Sequence, residues 1–444
     1  MDRIQMESLV VWKNSKGRKP LIVQGARQVG KTYLLKAFGK SYFQKFHYIN
    51  FEENPEVSTV FQKSLDPHII VRELEFFLGD SIDTSKDLII FDEIQRDSKA
   101  LISLKYFNEK MPHAAVCVAG SLLGVVMGGD SFPVGKVAFL DLYPMSFLEF
   151  IWAVADSQLF DLLKNHDLRK PFPLLAHGKF MEYWKHYLIV GGLPEAVDYY
   201  LNNSGDLYNS LKVIRQMQDI LMRTYMADMA KHSGKINSVH IEQVFRSVPM
   251  QLARTINGSS KRFILKEVVP GIRGYARLAS PIGWLERANL LLRIPIIDHV
   301  EVPLAAYARE NIFKLYFFDV GLLGSVSRLS PSQIIQYDFS TYKGFFAENF
   351  VAQEFATSSG ELPYCWQRRT SEVEFLIQAS SGSIIPVEVK AGSVTHSKSL
   401  SVYTERNNPV KSIVVSARND GERVNRWYIP LYAAGRLSEC VLSL

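Results

Sequence analysis

The stretch that decides the fold runs Leu21-Ile-Val-Gln24-Gly25-Ala26-Arg27-Gln28-Val29-Gly30-Lys31-Thr32. Its opening apolar run has strand length, and residues 31–38 read as a helix. Between them, the two glycines let the backbone curl so that successive amide hydrogens point inward, a cradle for phosphate oxygens. The helix that follows adds the positive end of its dipole. Gly25, Ala26, Arg27, Gln28, Val29 and Gly30 would line the cradle. Lys31 would supply a cation for the β- and γ-phosphates of a nucleoside triphosphate, and the Thr32 hydroxyl a ligand for magnesium.

Working outward, residues 20–143 alternate short apolar strands with amphipathic helices, which implies a mostly parallel sheet. Strands are expected at residues 21–24, 46–51, 88–91, 115–119 and 137–142. The run Leu88-Ile-Ile-Phe91-Asp92-Glu93 has the composition of a buried parallel strand. Its carboxylates sit at the C-terminal end, where open α/β sheets bind ligands. Asp92 would hold magnesium through water and Glu93 would polarise the attacking water, although such a pair can also simply cap the next helix. Ser121 ends the fourth strand as a candidate sensor of the γ-phosphate or as a turn serine. Lys136 is a further charge, placed at the phosphates or exposed beside its strand.

These strings, with Phe91-Asp-Glu-Ile-Gln95, Ala119-Gly-Ser121, Leu142-Tyr-Pro-Met-Ser-Phe-Leu-Glu-Phe150, Gly191-Gly-Leu-Pro194-Glu and Tyr225-Met-Ala-Asp228, resemble AAA-like prokaryotic ATPases whose C-terminal half is a domain of unknown function. The resemblance covers essentially the whole chain. It implies ATP and Mg2+ as ligands and ATP hydrolysis as the activity. One departure is Gly135-Lys136, where the family usually carries Gly-Arg; a lysine lacks the planar, two-pronged phosphate contact of arginine.

Residues 145–235 have helical periodicity, broken at Gly191-Gly192 and Pro194, and resemble the helical lid of such ATPases. Residues 237–318 read as three short helices and then strands from Leu290 and from Lys314. Ser280 before Pro281 reads as a helix start. That order resembles a winged helix-turn-helix, with Arg273, Tyr275, Arg277 and Arg287 as candidates for phosphate contact on DNA. Protein joining is the other use of such a module.

From about Tyr342 the order is helix, strand, strand, helix, strand. Glu348 lies on the helix, Glu374 on the first strand, and Glu388 and Lys390 share one face of the second. Carboxylates grouped in this way can bind magnesium beside a scissile phosphate, and a lysine can position the water. The set resembles the PD-(D/E)xK nuclease superfamily, with Glu374 at the usual aspartate and its extra methylene moving the carboxylate by about 1.5 Å.

The expected fold class is therefore α/β: a P-loop NTPase parallel sheet (1–144), a helical lid (145–235), a winged helix-turn-helix (236–335) and a C-terminal restriction-endonuclease-like α/β domain (336–444). A chain of 444 residues accommodates several cores. No run approaches the roughly 20 apolar residues of a membrane span, and the first residues do not read as a signal peptide. Cys117, Cys365 and Cys440 are far apart, a usage that fits the cytoplasm. The net charge of +6 permits nucleic-acid binding without requiring it. The expected function is an ATPase whose nucleotide state is coupled to a DNA-contacting module. The alternatives are a metal-dependent nuclease gated by ATP, and a non-catalytic nucleotide-dependent switch that binds a protein partner or a second copy of the chain.

Overall fold

A computed structural model describes residues 1–120, 132–232, 235–253, 262–337, 342–392 and 398–442. The chain divides into two compact units, Met1–Tyr143 (with Arg287–Asn289) and Pro144–Glu286 with Leu290–Leu444.

In the first unit, β1 (Leu21–Gln24), β2 (Phe46–Asn50), β3 (Leu88–Asp92), β4 (Ala115–Gly120) and β5 (Ala138–Asp141) form one sheet in the order β2-β3-β4-β1-β5. Every neighbouring pair is parallel, so the C-terminal ends of all five strands lie along one edge. β3 is buried at all five positions. Ile22, Ile89, Phe91, Val116 and Val118 join Leu101, Leu104 and Phe107 of the helix Ser98–Lys110 in a continuous core. β4 lies between β3, whose last residue is Asp92, and β1, which leads into the loop. Hydrophobic patterning identifies strands but carries no information on lateral order.

The second unit begins with helices, among them Phe147–Val154, Leu174–Val190, Leu207–His232 and Lys235–Ala253. It continues into an eight-stranded mixed sheet, in the order β12-β13-β11-β10-β9-β8-β6-β7. Its strands are β6 (Leu291–Ile297), β7 (Phe313–Phe317), β8 (Tyr364–Arg368), β9 (Ser371–Gln378), β10 (Ile384–Val389), β11 (Ser412–Ser416), β12 (Gly421–Arg423) and β13 (Arg426–Pro430). The β6–β7 hairpin, expected inside a separate winged module, pairs in parallel with β8 through Ile296–Cys365 and Ile297–Trp366. One sheet thus runs across the expected boundary at 335/336.

The helix expected to start at Ser280-Pro281 instead spans Tyr275–Arg287, with Pro281 in its interior. Leu278, Ile282 and Leu285 recur on one face and are fully buried. Burying each contributes about 1.5–3 kcal/mol, which together exceeds the roughly 3 kcal/mol cost of an interior proline. Tertiary burial therefore overrides the local start signal.

Helix Tyr342–Ser359 is buried on all sides from Phe345 to Thr357, and its polar side chains secure neighbouring backbone. Asn349 accepts from the Phe317 N–H at 2.8 Å and donates to the Phe317 carbonyl at 2.9 Å. Gln353 accepts from Val320 N–H at 2.9 Å and donates to the Tyr187 hydroxyl at 2.8 Å. Glu354 accepts from Phe147 N–H at 2.9 Å. The Gly191-Gly192 break has a similar purpose. A Cβ at Gly191 would lie 2.3 Å from the Asp319 carboxylate, which accepts the Gly192 N–H at 2.7 Å. No described helix is long and apolar enough to cross a membrane.

Candidate functional site

The loop at the end of β1 is built from unusual backbone. Gln28 and Gly30 have φ of 62° and 93°, the left-handed region in which successive amides turn toward one concavity. A side chain at Gly25 is impossible, since its Cβ would lie 2.1 Å from the Leu142 carbonyl oxygen. The loop is braced from outside its own segment by Arg3, whose guanidinium donates to the Val29 carbonyl at 2.8 Å and to the Tyr143 carbonyl at 2.7 Å.

Helix Lys31–Tyr42 starts at the loop's last glycine. Lys31 is 7% exposed, and its ammonium donates to the carbonyls of Gly25 at 2.9 Å and Ala26 at 2.7 Å. Burial lowers its pKa to about 8, against the opposing pull of Glu93 and Asp92. Thr32 Oγ1 donates to Asp92 Oδ2 at 2.6 Å, and the Tyr48 hydroxyl donates to the same oxygen at 2.9 Å. Start of helix and end of β3 therefore meet despite the strand between them.

Glu93 has left-handed backbone, φ 52°, so its side chain leaves the strand direction that Asp92 follows. Burial raises its pKa. The Gln95 side-chain amide donates to Glu93 Oε2 and fixes the carboxylate. This geometry fits a triphosphate and its metal: amides in a concavity, a buried cation, and a hydroxyl and carboxylate already in contact.

Tyr48, Arg3 and Gln95 are the parts that the sequence reading did not assign. Tyr48 and Arg3 lie outside the loop and strand motifs; Gln95 stands in a quoted string with no role attached. Ser121 lies outside the described residues. Lys136 forms an ion pair with Glu109 at 3.0 Å, which gives that charge a partner on the neighbouring helix.

Arg273, Arg277 and Arg287 are exposed, whereas Tyr275 packs edge-on against Phe313 with centroids 6.0 Å apart and lies under Arg293 at 5.6 Å. Tyr275 is half-buried in this packing.

The four nuclease-like residues do not converge on a metal-binding set. Glu348 Oε2 accepts from the Tyr316 hydroxyl at 3.2 Å and lies 3.8 Å from the Lys314 ammonium, which donates to Glu372 at 2.5 Å. Glu374 accepts from Val389 N–H at 3.1 Å, and Glu388 is ion-paired with Lys390. Among the described residues no group of three or more His, Cys, Asp or Glu side chains is arranged to hold a metal. Lys314, missed in the sequence, stands alone as a charge in the otherwise apolar and aromatic run Phe313-Lys-Leu-Tyr-Phe317. That is the signal that a buried partner exists. Burial opposes its charge, yet its anionic surroundings, Glu372 and Glu348 among them, hold its pKa above the ordinary lysine value.

Comparison with known proteins adds three matches. Residues 17–151 match the family described as an AAA domain. Residues 181–333 match a domain of unknown function, DUF8612, and residues 343–434 match another, DUF4143. Three solved structures are similar. A Walker-type ATPase of Pyrococcus abyssi is 15% identical, covers 73% of this chain and 95% of its own, and has a TM-score of 0.45. PCH-2 of C. elegans is 11% identical over 47% of this chain and 65% of its own, with a TM-score of 0.29. The Aeropyrum pernix ORC1 protein, in complex with DNA, is 13% identical over 75% and 90%, with a TM-score of 0.28. No curated protein matches the sequence.

Proposed function

We propose, from a first unit that carries an AAA-like P-loop ATPase domain, that this chain binds ATP with magnesium, hydrolyses it, and couples nucleotide state to contact between its second unit and DNA. The observation that carries the reading is the 2.6 Å hydrogen bond from Thr32 to Asp92. It unites the phosphate loop with the acidic strand end, the two parts that such chemistry requires together.

In this reading the amides of residues 25–32 cradle the phosphates and Lys31 moves its ammonium from loop carbonyls to phosphate oxygens. Thr32 and Asp92 would hold magnesium, and Tyr48 keeps the Asp92 carboxylate oriented. When bound, magnesium supplies charge neutralisation at the phosphates. Glu93, with its proton affinity raised by burial and its position fixed by Gln95, accepts a proton from the attacking water. Ser121 is proposed as the γ-phosphate sensor.

The second unit is proposed to carry a helical lid, a winged-helix-like segment and a nuclease-like module. Two exposed guanidinium groups, Arg273 and Arg277, flank the start of helix Tyr275–Arg287 ahead of the β6–β7 hairpin. That placement suits phosphate contact.

The test is ATP turnover by the purified chain with and without duplex or single-stranded DNA. Magnesium-dependent turnover that DNA stimulates supports both halves of the proposal; no magnesium-dependent affinity for ATP ends it. Replacing Arg273 and Arg277 by Ala should lower the salt slope of DNA binding by about one for each phosphate interaction removed. An unchanged slope removes those residues from the interface.

A further inference from the structure

A metal-dependent nuclease centre brings carboxylates onto one hydrated cation and leaves a lysine beside the water. The nuclease-like module of this chain contains the carboxylates in a different arrangement. Lys314, the second residue of β7 and 1% exposed, places its ammonium between Glu372 at 2.5 Å and Glu348 at 3.8 Å. The same Glu348 oxygen also accepts the Tyr316 hydroxyl. Glu348 is 3% exposed, Glu374 4% and Glu388 1%, and each has a hydrogen-bond or ion-pair partner from the protein.

A divalent ion the size of magnesium demands octahedral oxygens at about 2.0–2.1 Å and keeps several waters. Here the acids are closed to solvent, Glu348 and Glu374 accept hydrogen bonds from the protein, and a metal on Glu348 would share its Oε2 with the Lys314 ammonium 3.8 Å from that oxygen, at the cost of like-charge repulsion.

We infer that the Lys314 ammonium takes the place of a divalent metal at Glu348 in the acidic centre of the C-terminal module, so that the module engages its partner without cutting it. This rests on the nuclease-like reading of residues 336–444 and narrows it to binding. The counter-charge comes from the hairpin that precedes the module in the chain. Loss of that hairpin would remove the compensating ammonium as well as a pair of strands.

The test uses the full-length chain without nucleotide. Mn2+ titration followed by electron paramagnetic resonance should show only the signal of the free aquated ion. Supercoiled plasmid should remain intact with Mg2+ or Mn2+, whether or not ATP is present. A bound Mn2+ that disappears in Glu374→Gln and Glu388→Gln overturns the inference, as does nicking that disappears in Lys390→Ala.

Stability supplies an independent reading. Lys314→Met should lower the melting temperature, and Lys314→Met with Glu372→Gln should recover most of the loss. If the single variant does not fold, the double variant is compared with the parent. A double variant no more stable than the single one, or one that does not fold at all, overturns the charge-pairing role. ATP binding is measured on the same preparations. Failure of ATP turnover with no bound Mn2+ would count against the proposed function alone.

Discussion

The two charged regions of this chain use the same side-chain types in opposite ways. At the loop after β1, Lys31 is bonded, among the described residues, only to backbone carbonyls, and the Asp92 carboxylate accepts from two hydroxyls and the Glu93 N–H. These partners are neutral, so the ionic valence of both groups remains available to a ligand. Around β7, by contrast, Lys314 and Glu372 satisfy each other inside the fold. A buried charge paired with another charge is structural, whereas a buried charge paired with dipoles is prepared for a partner that arrives later. Burial alone therefore does not mark a site; the identity of the internal partner does.

The sharpest break in that comparison comes from Glu93→Gln. Turnover of ATP should fall by about 10²–10⁴-fold while equilibrium ATP binding stays near the parental value, read by single-turnover assay and by titration calorimetry. Turnover at the parental rate would remove Glu93 from its assigned role. Next in size, Lys314→Met should destabilise the second unit by about 3–5 kcal/mol, because it leaves two carboxylates facing each other. Urea denaturation measures this, and ATP affinity should not follow.

Lys31→Met should show the converse pattern: affinity for ATP down about 10–100-fold as its charged hydrogen bonds are removed, with thermal stability equal to or above the parent. A large loss of stability in that variant would erase the contrast between the two lysines.

The smallest effect is on pH. Lys31 has its pKa lowered to about 8, and a bound triphosphate raises it by favouring the charged form. Below pH 8 the ammonium is already charged and affinity is flat. Above 8 the protein must take up a proton on binding, so affinity should fall by at most about tenfold per pH unit. Affinity that rises with pH in that range would contradict the assignment.

What was legible in the sequence follows from how local each feature is. The phosphate loop is contiguous, so its glycines, Lys31 and Thr32 could be read directly. The five strands of the first sheet were placed within a residue or two because each is a short apolar run. Tyr48 and Arg3 escaped because they reach the site from 44 and 26 positions away from the residues they contact. Pro281 misled because a start signal is weaker than the burial of one helical face. The β6–β8 pairing was invisible for a physical reason: a parallel pair between distant strands leaves no mark in either strand's own pattern. Lys314 was visible as an anomaly, but nothing in its vicinity named Glu372 and Glu348 as its partners.

The way β6 and β7 complete the eight-stranded sheet also bears on how the protein could be dissected. A fragment produced from residue 336 onward would present the outer edge of β8, with a row of amide and carbonyl groups that normally bond to β6. Such an uncovered flank is a template for intermolecular strand pairing. That fragment should precipitate or swap strands between copies, whereas one beginning at Pro144 would carry its own edge protection.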